Sequence, residues 1–449
     1  MKRSFAWVRR GRWLVAAMVL ALGAARAQVT LPNVNVPDLP VDLPIDTNDP
    51  LSVAERLELR ELRNQRLLRV RQLLRQNRQV LETDPRGAPI LRGQILAFGP
   101  GEAAIESARQ QGFRILRERA LEGLGSRIIV LAVPEKMSTR RALRKLKERD
   151  VQGTYDFNHV YTDSGSVMGA PVRAPMLLQA NAPAQSAASA SQTRIGLIDG
   201  GIDSGHVVFS QVQIHARGCD GRPVVSAHGT AVASLMVGAS PQLRGAAPGA
   251  ALYAADVYCG VPVGGSVEAI VDAFAWMAKE RVPTINVSLV GPPNVLLEHT
   301  VRAVIERGHV VVAAVGNDGP SAAPLYPASY PDVIGVTGVD AKRKALVEAG
   351  RGPQVDFAAP GADMAAAGVN NGFAGVRGTS FAAPIVAGLL AVRLADVAPE
   401  RRAEALTALG RAAVDLGSRG PDRVYGAGLV GEDLRAVLPT AARLPRGKE

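Results

Sequence analysis

Three polar residues between positions 199 and 380 combine the chemistry of a nucleophile, a base and a carboxylate. Asp199 ends the apolar run 194–198 in D-G-G-I-D, His228 lies in S-A-H-G-T-A, and Ser380 lies in R-G-T-S-F-A-A-P. A serine hydroxyl is a weak nucleophile at neutral pH and needs a neighbouring base. An imidazole can take its proton, and a carboxylate can orient that imidazole. Together the three side chains could cleave an acyl bond through an acyl-enzyme.

A fourth polar residue, Asn317 in A-A-V-G-N-D-G-P, could complete such a site. Its side-chain amide could donate to the oxyanion, with the Ser380 backbone N–H as the second donor. Taken singly, each residue has an ordinary interpretation, because serine caps helices and aspartate and asparagine occupy turns. The combination favours catalysis. Five other histidines lack comparable surroundings and are interpreted as structural or surface residues: His159, His206, His215, His299 and His309.

The elements that must bring these residues together begin at Thr193. From there, near-continuous apolar runs alternate with helical stretches; the runs are 194–198, 251–258, 284–289, 310–316 and 333–339. This texture is typical of a parallel sheet covered by helices on both faces, which is an α/β fold. Sites in such sheets form at the carboxyl ends of the strands, so the candidate residues can converge there.

Four motifs in this order resemble the subtilases, the subtilisin-like serine peptidases of family S8, over about residues 192–438. The resemblance implies a mainly parallel subtilisin-like sheet with helices on both faces. It also implies a serine endopeptidase with Asp199, His228 and Ser380 as the triad and Asn317 in the oxyanion hole. The rival hypothesis is an exported binding protein that keeps the peptidase fold with little turnover, since fold alone does not guarantee activity.

The same resemblance implies that extended substrate lies beside two strand edges lining the pocket for the residue before the cut. These edges correspond to 288–291 and 313–316, and the expected substrate-binding residues are Ser288, Leu289, Val290, Gly291, Ala314, Val315 and Gly316. Their small size indicates an open, largely apolar pocket. Val290 stands where the family often has glycine, so its side chain could narrow the pocket or push the substrate outward.

No cofactor is expected for catalysis, and the usual structural calcium site of the family is expected to be missing. Many relatives carry an aspartate ligand nine positions after the catalytic aspartate, where this chain has Val208. Calcium needs six to eight oxygen ligands, which the sequence does not assemble there.

Cys219 and Cys259 are the only cysteines. In an exported chain a disulfide between them is the default interpretation, and two free thiols are the alternative.

The first 27 residues predict a signal peptide and therefore export to the periplasm or beyond the cell. Five basic residues precede an apolar run at 13–25, and Ala25-Arg26-Ala27 offers small residues for the peptidase that removes the signal. The run is shorter than the ~20 residues that span a bilayer. An uncleaved anchor is the alternative. No integral membrane segment is expected in the mature form.

The remaining N-terminal residues predict a prosegment. Residues 85–162 show a β-α-β-β-α-β pattern, which indicates a small ferredoxin-like α+β unit. This unit resembles the family's propeptide, which helps the peptidase fold and inhibits it until cut, so we expect a zymogen. The predicted boundaries are a signal peptide at 1–27, a Pro/Asp-rich linker at 28–50, a basic amphipathic helix at 51–84, a propeptide domain at 85–162, a cleavable Ala/Ser/Pro linker at 163–191, a peptidase domain at 192–438 and a tail at 439–449.

Charge distribution limits the partners. The chain has 52 Lys and Arg against 41 Asp and Glu, a net charge of +11. Residues 163–449 nevertheless carry equal numbers of basic and acidic side chains, so nucleic-acid binding there has no electrostatic basis. The basic helix at 51–84 could bind a membrane surface or a partner, or could pack its leucines on a neighbouring element. The expected partners are protein or peptide substrates and the chain's own propeptide in cis, with a monomeric enzyme.

Overall fold

The computed structural model describes residues 68–172, 177–178, 193–261 and 263–437. All of them belong to one compact unit, Leu51–Glu449. The predicted signal peptide, the linker at 28–50 and the tail at 439–449 lie outside the described residues. Across the described ranges, no helix has both the length and the apolar character needed to cross a membrane.

The N-terminal unit, residues 81–163, is an antiparallel sheet covered by two helices. Its elements are β1 Leu81–Thr83, β2 Pro89–Phe98, α1 Glu102–Gln110, β3 Arg114–Leu121, β4 Ser126–Ala132, α2 Thr139–Arg149 and β5 Thr154–Asp163. The strand order β5-β2-β4-β3, with β1 beside β2, follows the predicted β-α-β-β-α-β pattern. Ile95, Ile129 and Phe157 of the sheet pack in one buried cluster with residues of both helices.

Two boundaries of the sequence analysis are wrong. The basic helix predicted at 51–84 does not reach its predicted end, because 68–76 are helical and 81–83 form β1, which pairs with β2 and buries Leu81. The linker predicted at 163–191 contains β6 Gly165–Val172 and β7 Leu177–Leu178. Both errors have one cause. The conformation of these segments depends on pairing with a distant strand, and local composition does not reveal such pairing.

The peptidase part is built on seven parallel strands in the order β16-β15-β14-β12-β8-β10-β9. Their bounds are β8 Arg194–Asp199, β9 Ile214–Arg217, β10 Ala251–Asp256, β12 Thr284–Val287, β14 Val310–Ala314, β15 Ile334–Val339 and β16 Phe357–Pro360. Smaller pairings add β11 Gly265–Ser266, β13 Leu289–Val290, β17 Met364–Ala367, β18 Phe373–Gly378 and β19 Ala436–Val437. β18 lies between β17 and β6, and β19 pairs with β7.

Helices cover both faces of the parallel sheet, as its continuous apolar strands predict. They are α3 Ala227–Val237, α4 Val267–Lys279, α5 Val295–Glu306, α6 Thr379–Ala391 and α7 Pro399–Ala412. Successive side chains of β14 enter different cores, since Val310 and Val312 lie in the core that contains residues of α3 and α6. Val311 lies in the core that contains residues of α4 and α5. Period-two alternation therefore buries both faces of this strand.

The N-terminal unit is anchored where α4 and α5 begin. Glu268 in the first turn of α4 is buried and pairs with Arg117, whose Nε and Nη2 lie 2.8 and 2.7 Å from the carboxylate oxygens. At α5, Val295 N–H donates to Asp156 at 2.9 Å. The α5 N-cap, Asn294, also donates its side-chain amide to Phe157 O at 2.9 Å. Asp156 thus satisfies an otherwise unpaired N–H at the positive end of the helix dipole.

Candidate active site

Asp199 and His228 form a preorganised pair at the carboxyl edge of the parallel sheet. Asp199 is the last residue of β8 and is almost fully buried. His228 is the second residue of α3, whose N-cap Ser226 accepts from Gly229 N–H at 3.3 Å. The His228 Nδ1 atom lies 3.0 Å from each carboxylate oxygen of Asp199. This contact leaves Nε2 as the nitrogen available to a substrate or nucleophile.

The imidazole of His228 is held in its protonated form at neutral pH. Burial by itself would lower its pKa, but the Asp199 carboxylate, through charge and hydrogen bonding, and the charge of Asp163 together raise that pKa to about 9. Asp199 is the main cause of this rise, and the more remote charge of Asp163 adds to it. Asp163 belongs to β5 of the N-terminal unit.

Ser380 is the second residue of α6, which starts after Gly378. Gly378 has φ 137°, which favours glycine, and a β-carbon there would lie 2.8 Å from the Cα of Gly165. The Ser380 carbonyl accepts from Ser288 Oγ at 2.9 Å, which fixes the start of the helix. Among the described residues, neither Ser380 Oγ nor His228 Nε2 has a hydrogen-bond partner, although both atoms are buried.

Asn317 lies beside the start of α6. Its Oδ1 accepts from Thr379 N–H at 3.1 Å, which orients the amide. The position that a β-carbon on Gly378 would take lies 2.8 Å from Asn317 Nδ2 and 2.9 Å from the Ser164 carbonyl oxygen. The amide nitrogen and that carbonyl oxygen therefore lie near the same point beside Gly378. A donor to an oxyanion must lie close to the reacting carbonyl oxygen.

The connection from β5 to β6 crosses directly over Ser380. In β5, Thr162 pairs with Val290 and Asp163 with Leu289, both antiparallel. In β6, Gly165 pairs with Gly378 of β18. A β-carbon on Gly165 would lie 2.3 Å from Ser380 Oγ, so the backbone passes against the hydroxyl. The backbone at Gly165 therefore lies next to the Ser380 hydroxyl.

The two predicted substrate edges lie differently with respect to β5. Residues 288–291 include β13, which pairs with β5, and Val290 lies opposite Thr162 in that pairing. The second predicted edge, 313–316, does not pair with β5. Ala314 lies inside the parallel sheet, while the N–H groups of Val315 and Gly316 donate to Val336 O and Thr379 Oγ1, both at 3.1 Å.

The second edge beside the bound segment is β11, which sequence reasoning missed. Gly265 and Ser266 pair antiparallel with Tyr161 and Val160 of β5. A two-residue strand has no apolar periodicity by which it can be found. The preceding Gly264 has φ 92°, and a β-carbon on it would lie 2.5 Å from Tyr161 O. In the sequence, the signal of this close approach between two backbone segments is the pair of adjacent glycines in G-G-S (264–266).

The structure joins Cys219 and Cys259 in a disulfide with a Cα–Cα distance of 5.1 Å. With Asp256 they form the sole group of three potential metal ligands in the described ranges, but the sulfurs are bonded to each other and offer no thiolate. Val208, at the position of the familiar calcium ligand, is a fully buried apolar side chain and supplies no oxygen. That catalysis needs no cofactor stays a prediction.

Comparisons with known proteins agree with this geometry. The model of the subtilase family, peptidase S8, matches residues 190–428. Subtilisin DY of Bacillus licheniformis is 30% identical over 55% of this chain and 91% of its own length. Subtilisin of Bacillus pumilus is 31% identical over 54% of this chain and 89% of its own length.

A solved structure extends the likeness in fold. Fervidolysin from Fervidobacterium pennivorans, described as a keratinolytic enzyme related to subtilisin, superimposes with a TM-score of 0.62. The match covers 80% of this chain and 63% of that one at 20% identity, so it speaks for the fold alone.

Proposed function

The chain belongs to the subtilase family of serine-type endopeptidases, and we propose that it is an exported member made as a zymogen, with Ser380 as nucleophile. The observation that carries this proposal is the close approach of the Gly165 backbone to Ser380 Oγ, with the Ser164 carbonyl oxygen and the Asn317 amide nitrogen both near Gly378. The N-terminal unit occupies the cleft as a substrate would, between β11 and β13. It therefore blocks other polypeptides from the same edges.

The triad geometry supports hydrolysis through an acyl-enzyme. Ser380 Oγ attacks the substrate carbonyl carbon while His228 Nε2 accepts the hydroxyl proton, and Asp199 stabilises the imidazolium. The tetrahedral oxyanion accepts hydrogen bonds from the Asn317 amide and the Ser380 N–H. When the C–N bond breaks, His228 delivers the proton to the leaving amine. A water molecule then attacks the ester with His228 as base, releasing a carboxylate and restoring Ser380.

Self-processing applies the same chemistry to the chain itself. Cleavage between Ser164 and Gly165 makes Ser164 the C-terminus of the prosegment and Gly165 the N-terminus of the peptidase. Before this step, the charge of Asp163 adds to the rise in the pKa of His228 that Asp199 causes. When the prosegment dissociates, the contribution of Asp163 to the raised pKa of His228 ends, while that of Asp199 remains.

Export is supported by the sequence of residues 1–27 and by the Cys219–Cys259 disulfide, since disulfides persist in oxidising compartments. The rival, a binding protein with little turnover, is favoured by the unmade hydrogen bond between Ser380 Oγ and His228 Nε2. The zymogen accounts for that feature as well, because Ser380 Oγ lies against the bound Gly165.

The test compares wild type with Ser380→Ala and, as a matched control, the exposed-site variant Ser210→Ala. Each exported protein is purified, its intact mass is measured over time, and it is incubated with a denatured protein. We expect wild type and Ser210→Ala to split after Ser164 and digest the protein, while Ser380→Ala stays whole and inert. Processing of purified Ser380→Ala at the wild-type rate would contradict self-cleavage. A folded wild type that cuts neither itself nor the denatured protein would support the binding-protein rival.

A further inference from the structure

Strand β12 and the residue that follows it place two polar side chains in the core behind the nucleophile. Ile285 and Val287 of this strand pack in the core that contains residues of α4 and α5. Asn286 and Ser288 alternate with them, so their side chains lie on the other face of the sheet, toward α6. Both are fully buried. Buried polar groups destabilise a fold unless they make hydrogen bonds, so their partners indicate their role.

The two side chains form a hydrogen-bonded relay to Ser380. Asn286 Nδ2 donates to Ser288 Oγ, and Ser288 Oγ donates to the Ser380 carbonyl oxygen, both at 2.9 Å. A hydroxyl has one proton, and that of Ser288 is used on Ser380, so Ser288 can only accept from Asn286. The relay therefore has a single direction. Asn286 Oδ1 is buried and has no partner within the part of the chain that the structure describes, so the bond to Ser288 is what orients this amide.

The carbonyl that receives this relay lacks the usual partner of a helix residue. In an α-helix, a carbonyl accepts from the N–H of the residue four positions later. Four positions after Ser380 lies Pro384, inside α6, and proline has no N–H. The proline ring also crowds the carbonyl four positions before it. Ser288 thus supplies, from another element, the hydrogen bond that Pro384 cannot make.

We propose that Ser288 and Asn286 are positioning residues, which hold the backbone of Ser380 so that its hydroxyl stays in place for attack. The inference rests on the proposed function, because it takes Ser380 as the nucleophile. Without the relay, a buried carbonyl in the first turn of α6 would have no donor and would turn toward one. The hydroxyl of the same residue would move with it, and a displacement of about 1 Å costs about a hundredfold in rate.

The test is a double-mutant cycle on the exported full-length protein. It compares wild type, Ser288→Ala, Pro384→Ala and the double variant, with the exposed-site variant Ser210→Ala as the matched control. Ser288→Ala removes the donor, while Pro384→Ala supplies a backbone N–H four positions after Ser380. Two rates are measured. One is self-cleavage, followed by intact mass, and the other is inactivation of the mature enzyme by diisopropyl fluorophosphate, which esterifies Ser380 with loss of fluoride. Because this small reagent does not pair with the strand edges, it reports on the nucleophile and not on substrate binding.

We expect Ser288→Ala to slow both rates about tenfold to a hundredfold in the chain that keeps Pro384. In the Pro384→Ala background the same substitution should change them by less than about threefold, because the new N–H then serves the carbonyl. Asn286→Ala should slow the wild type and have no further effect on Ser288→Ala, since Asn286 acts through that hydroxyl. Ser210→Ala should match wild type throughout.

The outcomes separate this inference from the proposed function. Equal rates for wild type and a folded Ser288→Ala protein overturn the positioning role. An equal loss in both backgrounds also overturns it, since a general packing defect would not be rescued at Pro384. Slower self-cleavage with unchanged reactivity toward the fluorophosphate overturns it in favour of a contact with substrate. If Ser288→Ala does not fold, the cycle is run with Ser288→Cys, whose thiol is a weak donor. A folded wild type that neither cleaves itself nor reacts with the fluorophosphate overturns the proposed function and the inference together.

Discussion

Gly165 lies against the hydroxyl of Ser380, at the point where the chain leaves β5 for β6. Under the proposed zymogen function, the segment that covers the site is also the segment that the site is placed to cut. β13 binds it before the bond and β18 binds it after the bond, so its backbone is fixed on both sides of the nucleophile. Positioning of this kind supplies a large part of an enzymatic rate, because the reacting groups are already held together.

The contact predicts that Gly165→Ala slows self-cleavage. The new β-carbon would lie 2.3 Å from Ser380 Oγ and 2.5 Å from the Phe381 ring, so the backbone must move away from the nucleophile. A displacement of about 1 Å can cost about a hundredfold in rate. We expect the half-time of processing, followed by intact mass, to lengthen by about that factor.

Gly101→Ala is the control for that variant, because Gly101 is exposed and a β-carbon there meets no atom within 4 Å. It should mature like wild type. Unchanged processing of a folded Gly165→Ala protein would show that the chain does not react in the conformation described.

A second prediction concerns pH. The pKa of His228 is raised to about 9 in the full-length chain, against burial, by Asp199 and by Asp163. Only the neutral imidazole can accept the Ser380 proton, so the rate of self-cleavage should rise about tenfold per pH unit below pH 9 and level off above it. Asp163→Asn removes one of the two facing carboxylates and should move the profile to lower pH.

The measurement is the first-order rate of processing between pH 5 and 10 for wild type, Asp163→Asn and Asp220→Asn. Asp220 is an exposed aspartate in the peptidase part, and its substitution should leave the profile in place. A wild-type rate that is already constant from pH 7 upward would show that His228 is neutral in the zymogen.

The sequence predicts the candidate site better than it predicts what covers it. Asp199 lies at the end of a strand, and His228 and Ser380 lie at the starts of helices. The local pattern of apolar residues and the order of the motifs are therefore enough to locate them. The parallel sheet follows from the continuous apolar runs. β11 and β6 escape prediction, because a two-residue strand and a strand inside a predicted linker gain their structure from pairing with a distant partner. Pairing of this kind is not recorded in local periodicity.

A third prediction concerns the Cys219–Cys259 disulfide. It closes a loop with a sequence separation of 40 and lies in the peptidase part. In the chain-entropy model such a loop contributes about 4 kcal/mol to the free energy of unfolding. Mature enzyme carrying Cys219→Ser and Cys259→Ser should therefore unfold at lower urea concentration by roughly that free energy. A reducing agent should produce the same shift in wild type and none in the double variant, and equal stability of all forms would refute the contribution.

A fourth prediction concerns release of the prosegment after cleavage. Arg117 is 40% exposed, but its partner Glu268 is buried, and the pair joins the two products of the cut. Removing Arg117 leaves a buried carboxylate with less compensation, which costs on the order of 1–2 kcal/mol after allowance for the exposed arginine. Arg117→Ala should therefore weaken binding of the cleaved prosegment about tenfold and shorten the delay between processing and activity. The matched control is Arg114→Ala, at an exposed position of the same strand. Equal delays in both variants would show that this ion pair does not hold the inhibitor.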